Sequence, residues 1–215
     1  MISCFSKENF AGLVERLTLI DADLKRIVDL YGYPPMWTRT NSFETLVHII
    51  LEQQVSLASA LSALNKLRER VQEITPARIL LLTDAEMREC YCSRQKTAYI
   101  KYLAEAIISR QIDLEAFQQM EDADIRTQLT ALKGIGNWTV DVYLMFALQR
   151  ADHFPIGDLA AVNALKRIKG LPAVTPREDI IAIAAQWQPY RTVATMILWH
   201  HYLSAPISKK KLPGG

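Results

Sequence analysis

Two short segments set residues capable of chemistry at the starts of helical patterns. The first is Leu132-Lys133-Gly134-Ile135-Gly136-Asn137-Trp138-Thr139. A helical pattern ends there, a Gly-x-Gly turn follows, and an apolar helix begins. The glycines reach backbone angles closed to other residues and leave N–H groups uncovered. With the positive end of the next helix, those groups make a site for an anion such as phosphate. A bare Gly-x-Gly corner can equally bind nothing, and these residues alone leave both roles open. The second segment is Phe154-Pro155-Ile156-Gly157-Asp158-Leu159, followed by a helical pattern over Ala160 to Ile168. Asp158 is either an N-cap, which Asp favours at such a place, or a carboxylate held toward a cleft.

Read in order, further residues join these segments. Leu-x-Gly-Ile-Gly-x-Trp-Thr is followed by Phe-Pro-x-x-Asp-Leu, then Trp187-Gln188-Pro189-Tyr190-Arg191 and Leu198-Trp199. This series resembles the helix-hairpin-helix DNA glycosylase superfamily, and within it the 3-methyladenine DNA glycosylase II type. The resemblance runs from about Ser42 to Tyr202. It implies an all-α, two-lobed core with an active-site cleft between the lobes. The mixed α/β domain that precedes the core in larger members has no counterpart here.

The resemblance also implies roles. Asp158 takes the position of the catalytic aspartate. Alkylated purines carry positive charge and leave readily, so one carboxylate can suffice to stabilise an oxocarbenium-like sugar and orient water. Asp141 and Asp152 are rivals by residue type but do not match the position. Trp138 and Trp199 match pocket tryptophans able to stack on an everted cationic base, with core packing as the competing role. Tyr143 is a further pocket candidate, although the superfamily's pocket tyrosine falls one residue earlier, at Val142. The wedge that fills the vacated stack maps to Glu52-Gln53-Gln54-Val55-Ser56. Gln54 stands where larger members carry an apolar residue, and a helix-end Gln bonding locally is the alternative.

The expected DNA contacts are Gln54, Lys133, Gly134, Gly136, Thr139 and Arg191. Arg191 contacts phosphate, braces the active-site loop, or is simply solvated. No cofactor is required on this reading. A structural Na+ or K+ on the backbone carbonyls of Thr130, Leu132 and Ile135 is implied for the hairpin, with no metal bound by side chains. Three cysteines, Cys4, Cys90 and Cys92, cannot supply the four thiolates of an iron–sulfur cluster. The expected partner is double-stranded DNA containing alkylated bases, with no membrane and a monomeric protein. The expected location is cytoplasmic, at the nucleoid in a bacterium or in the nucleus of a eukaryote. Bifunctional relatives place a lysine just after the second hairpin glycine. Here that position holds Trp138, so a hydrolytic enzyme without lyase activity is implied. A non-catalytic DNA-binding or damage-sensing module is the alternative.

The elements that must position these residues read as all-helical. Apolar residues recur at helical spacing from Phe43 to Arg70, with Ser42 as N-cap and Thr45 at the capping-box position. Within that stretch Gln54 interrupts the apolar stripe, which marks either a helix break or a displayed polar side chain. Other helices are predicted from about Asp21 to Leu30, from Thr75-Pro76, from Thr83-Asp84, and over Arg94–Arg110, Glu121–Leu132 and Asn137–Arg150. The last two start at Thr175-Pro176 and at Arg191, the final one running to about Leu203. His200 and His201 point about 100° apart on one helix and are read as structural.

The 215 residues are expected to form a single core over 1–204. Its central lobe is expected over about 42–132 and its hairpin over 132–139. The second lobe takes about 1–34 plus 150–204, and the basic tail 205–215 with Lys209–Lys211 is expected to be disordered. Half the chain is hydrophobic and 22% charged, which excludes a largely disordered protein. A net charge of +2 permits nucleic acid without arguing for it. No apolar run approaches the about 18 residues of a membrane span, and Lys7-Glu8 interrupts any signal-peptide pattern.

Overall fold

The computed structural model describes residues 3–204. The basic tail expected at 205–215 lies outside the described residues. Among the described residues there are twelve α-helices, one 3-10 turn at Ala116–Gln118 and an isolated bridge between Cys4 and Arg150. The all-α expectation is borne out. The chain divides into two compact units. Among the described residues, unit 1 comprises 3–5 and 37–155, and unit 2 comprises 6–36 and 156–204.

Unit 1 holds seven helices: α3 (Phe43–Glu52), α4 (Leu57–Val71), α5 (Pro76–Leu81), α6 (Asp84–Glu89), α7 (Arg94–Ile108), α8 (Asp122–Thr130) and α9 (Asn137–Phe146). Side chains start most of them. Ser42 Oγ accepts from Thr45 N–H at 3.2 Å, and Thr83 with Glu86 forms a full capping box. Thr45 takes no part in a reciprocal box; its hydroxyl donates to the Thr40 carbonyl at 2.6 Å. The apolar stripes of α3, α4, α7 and α9 meet in one core that includes Leu46, Ile50, Leu64, Ile100, Val140 and Leu144.

The pattern from Phe43 to Arg70 resolves into two helices. The break falls at Gln53–Ser56, where Gln54 has a left-handed φ of 57° and Ser56 begins α4 by accepting from Ser59 N–H. Helix α9 is shorter than the predicted Asn137–Arg150. It stops at Phe146 because Arg150 is drawn into separate bonds. Its Nη2 donates to the carbonyls of Phe117, Gln118 and Met120, and its Nε lies 3.0 Å from Asp122 Oδ1.

Unit 2 holds α1 (Phe10–Ile20), α2 (Ala22–Tyr31), α10 (Leu159–Ile168), α11 (Arg177–Ala185) and α12 (Arg191–Ser204). Helices α1, α2, α10 and α12 pack together around Leu17, Leu24, Leu165, Val193 and Ile197. Asp21 caps α2 and also accepts from buried Trp187 Nε1 at 2.7 Å and from Lys169 Nζ at 2.8 Å. Its carboxyl sits below the ordinary value: burial alone would raise it, but the Lys169 and Trp187 hydrogen bonds outweigh burial. The first helix predicted from sequence begins near Asp21. Helix α1 precedes it, with Phe10, Leu13, Val14 and Leu17 buried at helical spacing.

Candidate active site

In unit 2, Asp158 is the N-cap of α10. Its Oδ1 accepts the Ala161 N–H at 2.8 Å and the Trp199 indole N–H at 3.0 Å. One carboxylate oxygen thus serves the helix cap and receives a side-chain donor as well. Capping requires only the backbone donor. The indole bond, from α12 and 41 residues along the chain, adds a second constraint on orientation. Trp199 and Asp158 are both half-buried, as is Arg191 at the first position of α12.

In unit 1, the turn from α8 to α9 carries the hairpin. Gly134 has φ 94°, and a Cβ there would lie 2.0 Å from Cγ of Tyr99, so the Tyr99 ring occupies the space a side chain would need. Gly136 is the N-cap of α9 with an extended backbone, and nothing lies within 4 Å of a Cβ built on it. Its face is exposed, and the first N–H groups of α9 follow it. Lys133 is exposed, with Nζ 5.8 Å from the Tyr102 ring centre. Ile135 is buried, and its N–H donates to the Leu132 carbonyl at 3.2 Å.

Three expected site residues take more specific places. Trp138 is half-buried and packs on the unit 1 core. Tyr143 is wholly buried; its hydroxyl donates to Asn41 Oδ1 at 2.6 Å and its ring meets Phe117 edge-on. That is a core position, not a ring face open to a ligand, and burial pushes its phenol well above the ordinary range. Val142, at the superfamily's tyrosine position, is buried too. Thr139 is 1% exposed and its Oγ1 accepts from Gln53 Nε2 at 3.0 Å, so its side chain points inward instead of toward a phosphate. Gln54, by contrast, is exposed at the tip of the turn between α3 and α4.

The rival carboxylate Asp141 is buried and paired, with Arg126 Nη2 at 2.5 Å from Oδ1. Asp152 is half-buried beside His153, whose Nε2 lies 2.8 Å from Asp122 Oδ2. Cys90 and Cys92 are buried free thiols, and burial pushes Cys92 up to about 12. Among the described residues, no group of three or more His, Cys, Asp or Glu is placed to hold a metal ion, and no helix is long and apolar enough to cross a membrane.

The sequence reading placed Gln53 in the wedge segment without giving it a role of its own, and it passed over Tyr99 and Asn41. Gln53 had a weak signal, being one of two consecutive glutamines at a helix end. Tyr99 and Asn41 act only through contacts distant in the chain and carry no local signal.

Residues 47–189 match the family described as HhH-GPD superfamily base excision DNA repair protein. The chain belongs to that superfamily. The sequence resemblance is thereby borne out. Among relatives of this HhH-GPD protein, DNA-3-methyladenine glycosylase 1 of Schizosaccharomyces pombe is 30% identical over 204 residues, spanning 92% of this chain and 90% of that protein. Endonuclease III of Sulfolobus acidocaldarius is 38% identical over 145 residues, spanning 65% of this chain and 62% of that protein. The S. pombe 3-methyladenine DNA glycosylase Mag1, solved in complex with abasic DNA, superposes with a TM-score of 0.85 at 29% identity, covering 92% of this chain and all of that one.

Proposed function

We propose that this HhH-GPD protein is a monofunctional DNA glycosylase that hydrolyses the N-glycosidic bond of alkylated purines in duplex DNA. The observation that carries the reading is the Asp158 carboxylate, fixed by the α10 N-terminus and the Trp199 indole. The names of relatives over most of the chain support the substrate class.

The chemistry follows from the leaving group. A 3-methyladenine or 7-methylguanine base is already cationic and departs without a strong general acid. Charge then develops on the sugar, and a preorganised carboxylate stabilises it and orients the attacking water. Asp158 is assigned this role. The products are free base and an abasic sugar. The everted base requires a flat partner, assigned to Trp199, which already bonds Asp158 within unit 2. The hairpin N–H groups at Gly136 and beyond are assigned to a phosphate, with Lys133 of the same turn adding positive charge, and Arg191 in unit 2 is assigned a DNA contact of its own. Gln54 is assigned to the space left in the stack.

A monovalent cation in the hairpin fits the donors present. Thr130 ends α8, where helix-end carbonyls lack intrahelical partners, and the carbonyls of Leu132 and Ile135 belong to the turn. Such an ion would supply fixed positive charge near a bound phosphate.

Asp158→Asn tests the assignment. Asn keeps the shape, caps helices as well as Asp, and still offers Oδ1 to both N–H donors. Only the charge is lost. Excision of 3-methyladenine from an oligonucleotide duplex should fall about 100–1,000-fold, with DNA affinity and melting temperature close to the parent's. Excision at the parent rate would leave Asp158 as a cap and defeat the mechanism. No excision by the parent itself, with salt-dependent DNA binding intact, would favour the non-catalytic module.

A further inference from the structure

Gln53 closes α3 and immediately precedes exposed Gln54. Its side-chain nitrogen donates to the Gly134 carbonyl at 2.9 Å and to Thr139 Oγ1 at 3.0 Å. Both acceptors belong to the hairpin, more than 80 residues away in sequence. The Gly134–Ile135 peptide is therefore held at both of its polar edges. Its C=O accepts from Gln53, and its N–H donates to the Leu132 carbonyl at 3.2 Å. A planar peptide fixed at both polar groups cannot rotate without breaking one bond. The Tyr99 ring covers Gly134 where a side chain would be. On the other side of the tether, Gln54 holds a left-handed φ of 57°, uncommon outside glycine.

We propose that Gln53 is a positioning residue that ties the turn presenting Gln54 to the hairpin, making the phosphate grip and the plug of the vacated stack one rigid arrangement. The inference rests on the glycosylase reading above. The amide suits the task because one uncharged nitrogen supplies both donors. Glu has the same shape but, when ionised, turns only acceptors toward the Gly134 carbonyl. Asn is one methylene shorter. Gln53 acts through Gln54 and has no contact with the reacting atoms in this role.

The test uses the full chain and a duplex carrying 2-aminopurine beside a tetrahydrofuran abasic analogue, whose fluorescence rises when the base unstacks. Gln53→Met keeps length and removes both donors. Fluorescence enhancement should drop, and excision from duplex should fall about tenfold, the scale of two neutral hydrogen bonds. Excision from single strands should stay unchanged. In a Gln54→Ala background, Gln53→Met should add nothing to the duplex deficit, because no plug remains to be positioned. Equal losses on duplex and single strand, or full additivity with Gln54→Ala, would overturn the tether. If Gln53→Met does not fold, Thr139→Val removes one acceptor and carries the same test, with about a threefold duplex-specific loss expected. A parent protein that unstacks the probe yet excises no alkylated base would defeat the glycosylase reading, and the fluorescence arm would still judge the tether.

Discussion

At the residue scale, Asp158 shows how one side chain serves two ends. Its Oδ1 completes the first turn of α10 and receives the Trp199 indole. A hydrogen bond to a charged acceptor contributes about 1.5–3 kcal/mol, roughly twice a neutral one. Trp199 is therefore assigned to orientation as well as stacking, and the two contributions can be separated. Trp199→Phe keeps a ring and removes the donor. It should lower kcat about 10–100-fold with little change in DNA affinity, whereas Trp199→Ala should also lose the stacking surface, worth about 1–3 kcal/mol per base. Single-turnover excision rates alongside anisotropy titrations read the two effects. A Phe variant at parent rate would show that the indole N–H does not orient the carboxylate.

At the element scale, the two hairpin glycines are present for different reasons. Gly134 has φ 94° and the Tyr99 ring against it, so a side chain there conflicts with the fold itself. Gly136 has an extended backbone and open space beside it. Gly134→Ala should therefore lower the melting temperature, with backbone strain and the displaced ring costing about 1–3 kcal/mol. Gly136→Ala should fold normally and weaken duplex binding, because its methyl group stands where a phosphate would approach the α9 N-terminus. Thermal melts and salt-dependent binding curves distinguish them. A fully stable Gly134→Ala variant would contradict the packing, and unchanged affinity in Gly136→Ala would remove the hairpin from the interface. The sequence shows the hairpin and its glycines plainly, but it does not separate these two roles, because Tyr99 arrives from α7. The same limit applies elsewhere. Capping signals at Ser42, Thr83 and Asp158 locate helix starts. At helix α1 the N-cap residue Asn9 makes no side-chain cap bond to the helix, and its buried stripe is what marks it. Long apolar runs overextend, as from Phe43 to Arg70 and past Phe146, where a left-handed Gln54 and the buried Arg150 override periodicity. Tyr143 reads as a pocket residue by proximity to Trp138 and proves to be core, because Asn41 satisfies its hydroxyl inside unit 1.

At the scale of the whole molecule, the choice between hydrolysis and covalent catalysis is set by where amines stand. A lyase mechanism needs an uncharged amine beside the sugar C1′, able to form a Schiff base. At the hairpin position used by bifunctional members of the superfamily, this chain carries Trp138, whose indole nitrogen is no nucleophile. Two lysines of unit 1 stand near the hairpin and the Gln54 turn. Lys133 is exposed, near the Tyr102 ring, on the solvent side of the hairpin. Lys96 is moved below the ordinary lysine value by burial, which favours a neutral amine, but its Nζ donates to the Leu51 carbonyl at 2.6 Å and is held at the end of α3. Neither is assigned a place at the sugar. Incubation with alkylated duplex should therefore yield abasic sites and intact strands, broken only by added base or heat, and borohydride should trap no protein–DNA adduct. Trapping that vanishes in Lys133→Ala or Lys96→Ala would overturn the hydrolytic assignment and name the nucleophile. Strand cleavage without trapping would point to elimination of the abasic product, and then cleavage should survive both lysine substitutions.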